Sequence, residues 1–89
     1  MKRNERNAFN ALKKGGATVF ESDDSCFIIS AEQGDGVADY YQEFTRERKD
    51  PATGRILNAF GIATWVHDIL DRYNLHAEWI NPGTVGVYR

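Results

Sequence analysis

Eighty-nine residues, 42% of them apolar and eleven of them aromatic, suit one folded domain spanning residues 1–89 and exclude a disordered tail. The formal net charge of −2 supplies no global pull toward nucleic acid or an anionic membrane. Cys26 is the single cysteine, which excludes an intramolecular disulfide, and no apolar run approaches a membrane span. The basic N-terminal residues lack the apolar segment of a secretory signal, so a cytoplasmic location is expected.

In chain order, residues 4–14 predict a first helix. Asn4 is placed as its N-cap, Ala8, Phe9 and Leu12 form a narrow apolar face, and Lys13 and Lys14 suit its C-terminal end. Gly15-Gly16 stops it with a left-handed cap. Residues 17–22 and 26–32 predict two strands joined by the turn chemistry of Asp23-Asp24-Ser25. Gly34-Asp35-Gly36 marks a second tight connection. Residues 38–47 alternate like a strand, with aromatic side chains on both faces. Asp50-Pro51-Ala52-Thr53-Gly54 predicts a hairpin into a short strand near 55–58.

Residues 59–73 carry the longest helical period. Ile62, Val66, Ile69, Leu70 and Tyr73 share one face, which is made to lie on a sheet. Asn58 is its expected cap. Gly61 in its first turn costs about 1 kcal/mol relative to alanine, so either backbone approaches closely there or the helix begins nearer Ile62. Trp65 sits at the margin of the stripe, to seal the core or to anchor a partner. Asn74 is the expected C-cap. Residues 76–80 and 84–88 predict a last hairpin, its Asn81-Pro82-Gly83-Thr84 turn of type II.

The expected fold is α+β: an antiparallel β-sheet of about five to six strands with two helices packed on one face, in the order α-β-β-β-β-α-β-β. The opening helix-strand-strand-strand order resembles that of double-stranded-RNA-binding domains. The basic helix-start motif those domains use on phosphate is absent here, because the second helix opens with Ala59-Phe60-Gly61.

Charge is unevenly placed. From Gly15 to Thr45 there are seven acids, Glu21, Asp23, Asp24, Glu32, Asp35, Asp39 and Glu43, and no lysine or arginine. Residues 1–14 hold five bases against one acid, and residues 46–55 hold four bases against two acids. Strands spaced about 4.8 Å apart are expected to gather the seven carboxylates on one edge or face, at a cost in mutual repulsion. Such a surface fits a basic protein partner, and spaced carboxylates stand where phosphates would sit on a protein that handles nucleic acid. A plainer account is that turns and solvent faces are acidic and limit edge-to-edge association. Self-association through opposite poles and a loosely held cation are further alternatives.

Two other functional classes stand beside the acidic one. Arg46, Arg48, Lys49 and Arg55 flank one hairpin tip and, joined by Lys2, Arg3 and Arg6 of the N-terminal helix, offer an alternative nucleic-acid contact, but no aromatic side chains interleave with the hairpin bases for base stacking. A homodimer with a structural role is the third. His67 and His76 match no zinc spacing, and the calcium-loop spacing is absent around Asp23-Asp24-Ser25. No phosphate-cradling loop, nucleophile elbow or paired-cysteine motif is present. The expectation is a non-enzymatic small binding or inhibitory protein with no catalytic residues, no metal and no cofactor.

Overall fold

The first helix, α1, runs Arg3–Lys14 and sets one side of the core. Ala8 and Leu12 are fully buried on its inner face, and Phe9 meets the Phe27 ring edge-on at 5.4 Å. The helix ends as glycine dictates. Gly16 takes φ +107°, its N–H reaches the Lys13 carbonyl, and the Ala17 N–H reaches that of Leu12. These two bonds, with buried Ala17 against Leu12, make a Schellman cap. Asn4 does not cap this helix. Lys2 occupies that position, and the Asn4 amide instead donates to the Tyr73 carbonyl at 3.0 Å. The amide N–H thus satisfies a carbonyl left over at the end of the second helix, whereas a cap would have used the side-chain oxygen as acceptor.

The structure is a computed structural model and describes residues 1–32, 37–40, 48, 49, 52 and 56–89. Among these, β1 (Val19–Glu21), β2 (Phe27–Ser30), β3 (Arg48–Lys49), β4 (Ile56–Ala59), β5 (Ile62–Ala63), β6 (His76–Asn81) and β7 (Thr84–Tyr88) are the strands. The α+β class and the antiparallel pairing are as expected. The strands divide between two sheets, one ordered β1-β2-β7-β6 and a smaller one ordered β3-β4-β5. β2 therefore pairs with the last strand of the chain, Phe27 opposite Val87 and Ile29 opposite Val85, and not with a third sequential strand. The sequential order that resembles double-stranded-RNA-binding domains is not followed. Of the expected strand 38–47, Ala38 makes an isolated bridge to Ile62, and residues 41–47 lie outside the described residues. The tight connection at residues 34–36 and most of the turn at 50–54 lie outside them too, although β3 and β4 do pair as a hairpin.

The second helix, α2, spans Thr64–Arg72, shorter than the period predicted. Ile62 keeps its buried place but belongs to β5, and Asn58 lies in β4 instead of capping the helix. At the other end Tyr73 is the cap residue and Asn74, at φ +60°, follows it; the Leu75 N–H reaches the Leu70 carbonyl at 2.9 Å. This is a second Schellman cap, with asparagine in the left-handed position that glycine fills in α1. Trp65 packs against the core, its ring so close to Gly15 that a Cβ there would stand 2.8 Å from it. It seals the junction of the two helices.

One face of the larger sheet is covered and the other is open. Phe27, Ile29, Val85 and Val87 are completely buried with Leu12 and Val66, each burial worth about 1.5–3 kcal/mol. On the opposite face Phe20 and Ile80 are about half exposed, and the Tyr88 and Ile80 side chains lie over Gly86. The β6–β7 turn differs from a type II turn, because Gly83 does not take a positive φ. The Asn81 carboxamide accepts the Gly83 N–H at 2.9 Å, so an Asx turn closes the loop. A Cβ at Gly83 would meet Glu32 Oε1 at 2.7 Å, a contact the exposed glutamate side chain can relieve by swinging away.

Candidate acidic and aromatic interface

The described carboxylates do not form one face. Glu21, at the end of β1, lies opposite Phe27 and so on the helix side of the sheet, where Arg6 of α1 ion-pairs with it at 2.8 Å. Asp23 and Asp24 are exposed in the β1–β2 turn. Glu32 and Asp39 lie at the opposite end of β2, lining an open groove of about 510 Å³ with Ala31, Pro82 and Gly83. Asp35 and Glu43 lie outside the described residues. The expected gathering on one surface is thus corrected to two groups, because the β2 strand runs between them and each follows one of its ends. For the basic alternative, Arg48 and Lys49 form β3, and Arg46 and Arg55 are outside the described residues.

The β1–β2 end carries an ion pair, buried on the Glu5 side and half exposed on the Arg89 side, that sequence reading missed. Glu5 is only 4% exposed, and its Oε2 accepts from Arg89 Nε at 2.9 Å and Nη2 at 2.7 Å. Burial alone would push the Glu5 carboxyl up. The Arg89 guanidinium and a backbone bond with Lys2 outweigh it, and the carboxyl titrates below its usual range. Cys26 beside them is half-buried, and burial followed by the Glu5 charge raises its thiol, which makes it a poor nucleophile. The pair joins residues 84 positions apart, a separation no local pattern signals. Removing Arg89 leaves the Glu5 carboxylate buried with its cation gone. Arg89→Ala is expected to lower the melting temperature by several degrees at pH 7. A depressed carboxyl contributes above its unfolded value of about 4.3, and that contribution is lost as pH falls through the folded value. In the variant the carboxyl is raised and protonates earlier, so the deficit should shrink toward pH 4. Melting curves of both proteins across that range check it.

The Glu32–Asp39 end carries aromatic side chains. Ala59 pairs with Ile62, so Phe60-Gly61 is a two-residue hairpin turn, with φ +57° and +77°. Positive φ at both central positions is the type I′ turn, whose favoured residues are Asn-Gly. A phenylalanine there is an outlier costing about 1–2 kcal/mol. The surroundings hold it in place. Trp79 Nε1–H donates to the Phe60 carbonyl at 2.7 Å, and the Asp39 N–H donates to the Gly61 carbonyl at 2.8 Å. Tyr40 stands edge-on to Trp79 at 5.2 Å. The Phe60 side chain itself is 74% exposed and Tyr40 is 43% exposed. The signal available in the sequence was Gly61, whose helix cost marked the place where the helical period was false.

His76 and Glu78 share the open sheet face, 3.8 Å apart. Among the described residues no group of three histidine, cysteine or acidic side chains is placed to hold a metal ion, and no helix is long and apolar enough to cross a membrane. No protein-family model, curated protein or solved structure gives a significant match to this chain.

Proposed function

We propose that the protein acts by binding, not by catalysis, and that its acidic strand region engages a basic surface on another protein. The class of partner such carboxylates suit is one that handles nucleic acid, whose phosphate-binding groups they would occupy. One observation carries this. Asp23, Asp24 and Glu32 are exposed, and among the described residues no cation ion-pairs with them, in a chain that holds 11 lysines and arginines. Uncompensated carboxylates raise the self-repulsion of the folded state, and a cationic partner would relieve it.

The test is fluorescence anisotropy of a labelled nona-arginine peptide at about 0.15 M salt, where charges beyond about 8 Å are screened. Replacing Asp23 and Asp24 by Asn and Glu32 by Gln should weaken binding about fivefold, each exposed charge contributing a few tenths of a kcal/mol. The same titration with duplex DNA examines the alternative. Steeply salt-dependent duplex binding with no peptide binding would transfer the function to Arg46, Arg48, Lys49 and Arg55.

A further inference from the structure

We infer that β6 is a docking edge for a second copy of this chain, two copies pairing β6 against β6 in antiparallel sense to make one continuous sheet of eight strands. The inference is independent of the acidic function proposed above. It starts from where the backbone bonds of the larger sheet run. The Ser30 N–H bonds the Thr18 carbonyl toward β1, and the Ala31 N–H bonds the Gly83 carbonyl toward β7. Bonded pairs alternate along an antiparallel ladder, so Phe27 and Ile29 bond Val87 and Val85, and Gly86 and Tyr88 turn the other way, to Glu78 and His76. Ala77 and Trp79 are left with their N–H and C=O aimed away from the sheet. Among the described residues no backbone group bonds them there.

The two edges of the sheet are unequal. β1 is three residues long and ends on Glu21, which carries its ion pair with Arg6. β6 is six residues long and holds no lysine and no proline, the residues that keep an edge single. Trp79 opposes Val85 and so points to the helix side, where its indole holds the Phe60 carbonyl. The Phe60 turn is therefore held by a side chain and not by the edge backbone.

Charge and size choose the occupant and the register. With a two-fold axis at Ala77, the two Ala77 residues exchange both backbone bonds, and each Trp79 N–H meets the Leu75 carbonyl of the second copy. The same register sets His76 of each copy directly opposite Glu78 of the other, in the non-hydrogen-bonded positions where side chains stand closest. His76 and Glu78 already face each other at 3.8 Å on the open face, so two copies close a square of alternating histidines and carboxylates. An axis at Glu78 would set the two carboxylates against each other, and an axis at Trp79 would set Glu78 against Ile80. The side chain at the Ala77 axis is small enough to let the strands approach. A strand that complements itself in one register points to a second copy and not to a strand of another protein.

One strand from each copy buries less than about 1,200 Å² in all, so the association is weak and depends on concentration. Sedimentation of the whole chain from about 10 to about 500 μM, the range for so small an interface, should show the average mass rising from one chain toward two. Hydrogen exchange on the same samples should show the Ala77 and Trp79 amides slowing with concentration, while the Glu78 amide, bonded within the chain, does not change. Ala77→Pro removes an N–H that points outward, so it should abolish the dimer and keep a cooperative melt. Glu78→Lys should weaken association about fivefold to tenfold through its two cross-strand pairs, and adding His76→Glu should restore it, because the pair is then reversed in place. That rescue decides the matter even if Ala77→Pro does not fold. A mass that stays at one chain throughout, or a dimer that Ala77→Pro and Glu78→Lys both leave intact, overturns the proposal.

Discussion

Val66→Asp is expected to leave the chain without a cooperative melting transition. Val66 is completely buried in α2, among Leu12, Leu70 and the inner face of the larger sheet. A carboxylate there has no described cation to pair with, and the cost of burying it unpaired exceeds about 5 kcal/mol. A domain of this size has about 4–13 kcal/mol in all, so most of its stability is removed. Val66→Ala separates charge from volume. It should cost only about 2–3 kcal/mol, for two lost methyl groups and a small cavity, and keep a sharp transition. Circular dichroism against temperature reads both. A sharp, near-parental melt for Val66→Asp would mean that this face of α2 meets water.

Gly61→Ala should destabilise the protein by about 2–4 kcal/mol and damage the hairpin, whereas Phe60→Asn one residue earlier should melt at or above the temperature of the parent protein, because Asn-Gly suits the turn. At φ +77° any Cβ is strained, at about 1–2 kcal/mol. Here it would also stand 2.9 Å from the Asp39 carbonyl oxygen and 3.3 Å from the Trp79 ring. Backbone cannot withdraw as a flexible side chain can, so overpacking adds about 1–2 kcal/mol. The bond from the Asp39 N–H to the Gly61 carbonyl lies in the same contact and should lengthen. Urea titration gives the loss, and the indole proton of Trp79 reports whether its bond to the Phe60 carbonyl survives. Two adjacent substitutions with opposite effects on stability are the signature of a turn, and a helix running through Phe60-Gly61 would show neither.

That turn also shows what a sequence carries and what it does not. Gly15-Gly16 and Asn74 end their helices as their own conformational freedom requires, so those boundaries were readable to within a residue. The final hairpin was readable because β-formers flank a proline and a glycine. The start of α2 was not. Ile62 happens to fall four residues before Val66 and so extends the helical period backward, although it lies in a strand. The true structure there depends on Trp79, 19 residues away, and on the 37–39 segment, whose Val37 carbonyl receives the Ala63 N–H and whose Asp39 N–H donates to Gly61. The pairing of β2 with β7 and the bond between Glu5 and Arg89 are non-local in the same way.

The acidic stretch was legible as a count and not as a surface. Seven carboxylates in one run of sequence become, among those described, a pair of turn aspartates at one end of β2 and Glu32 with Asp39 at the other. Glu21 is removed from the set by Arg6. Tyr88 stands beside the turn aspartates and Phe60, Tyr40 and Trp79 stand at the other end, and neither Phe60 nor Tyr40 stood out by type or spacing.

The most direct measurement follows the protein by nitrogen-15 NMR while nona-arginine is added. Asp23, Asp24 and Glu32 are exposed, and Trp65 packs at the junction of the two helices beside Gly15. Binding by the acidic strand region predicts that the amide signals of Asp23, Asp24 and Glu32 shift and saturate while the Trp65 indole signal stays in place. A Trp65 shift with those amides unmoved, or no shift in any of them at excess peptide, would contradict it.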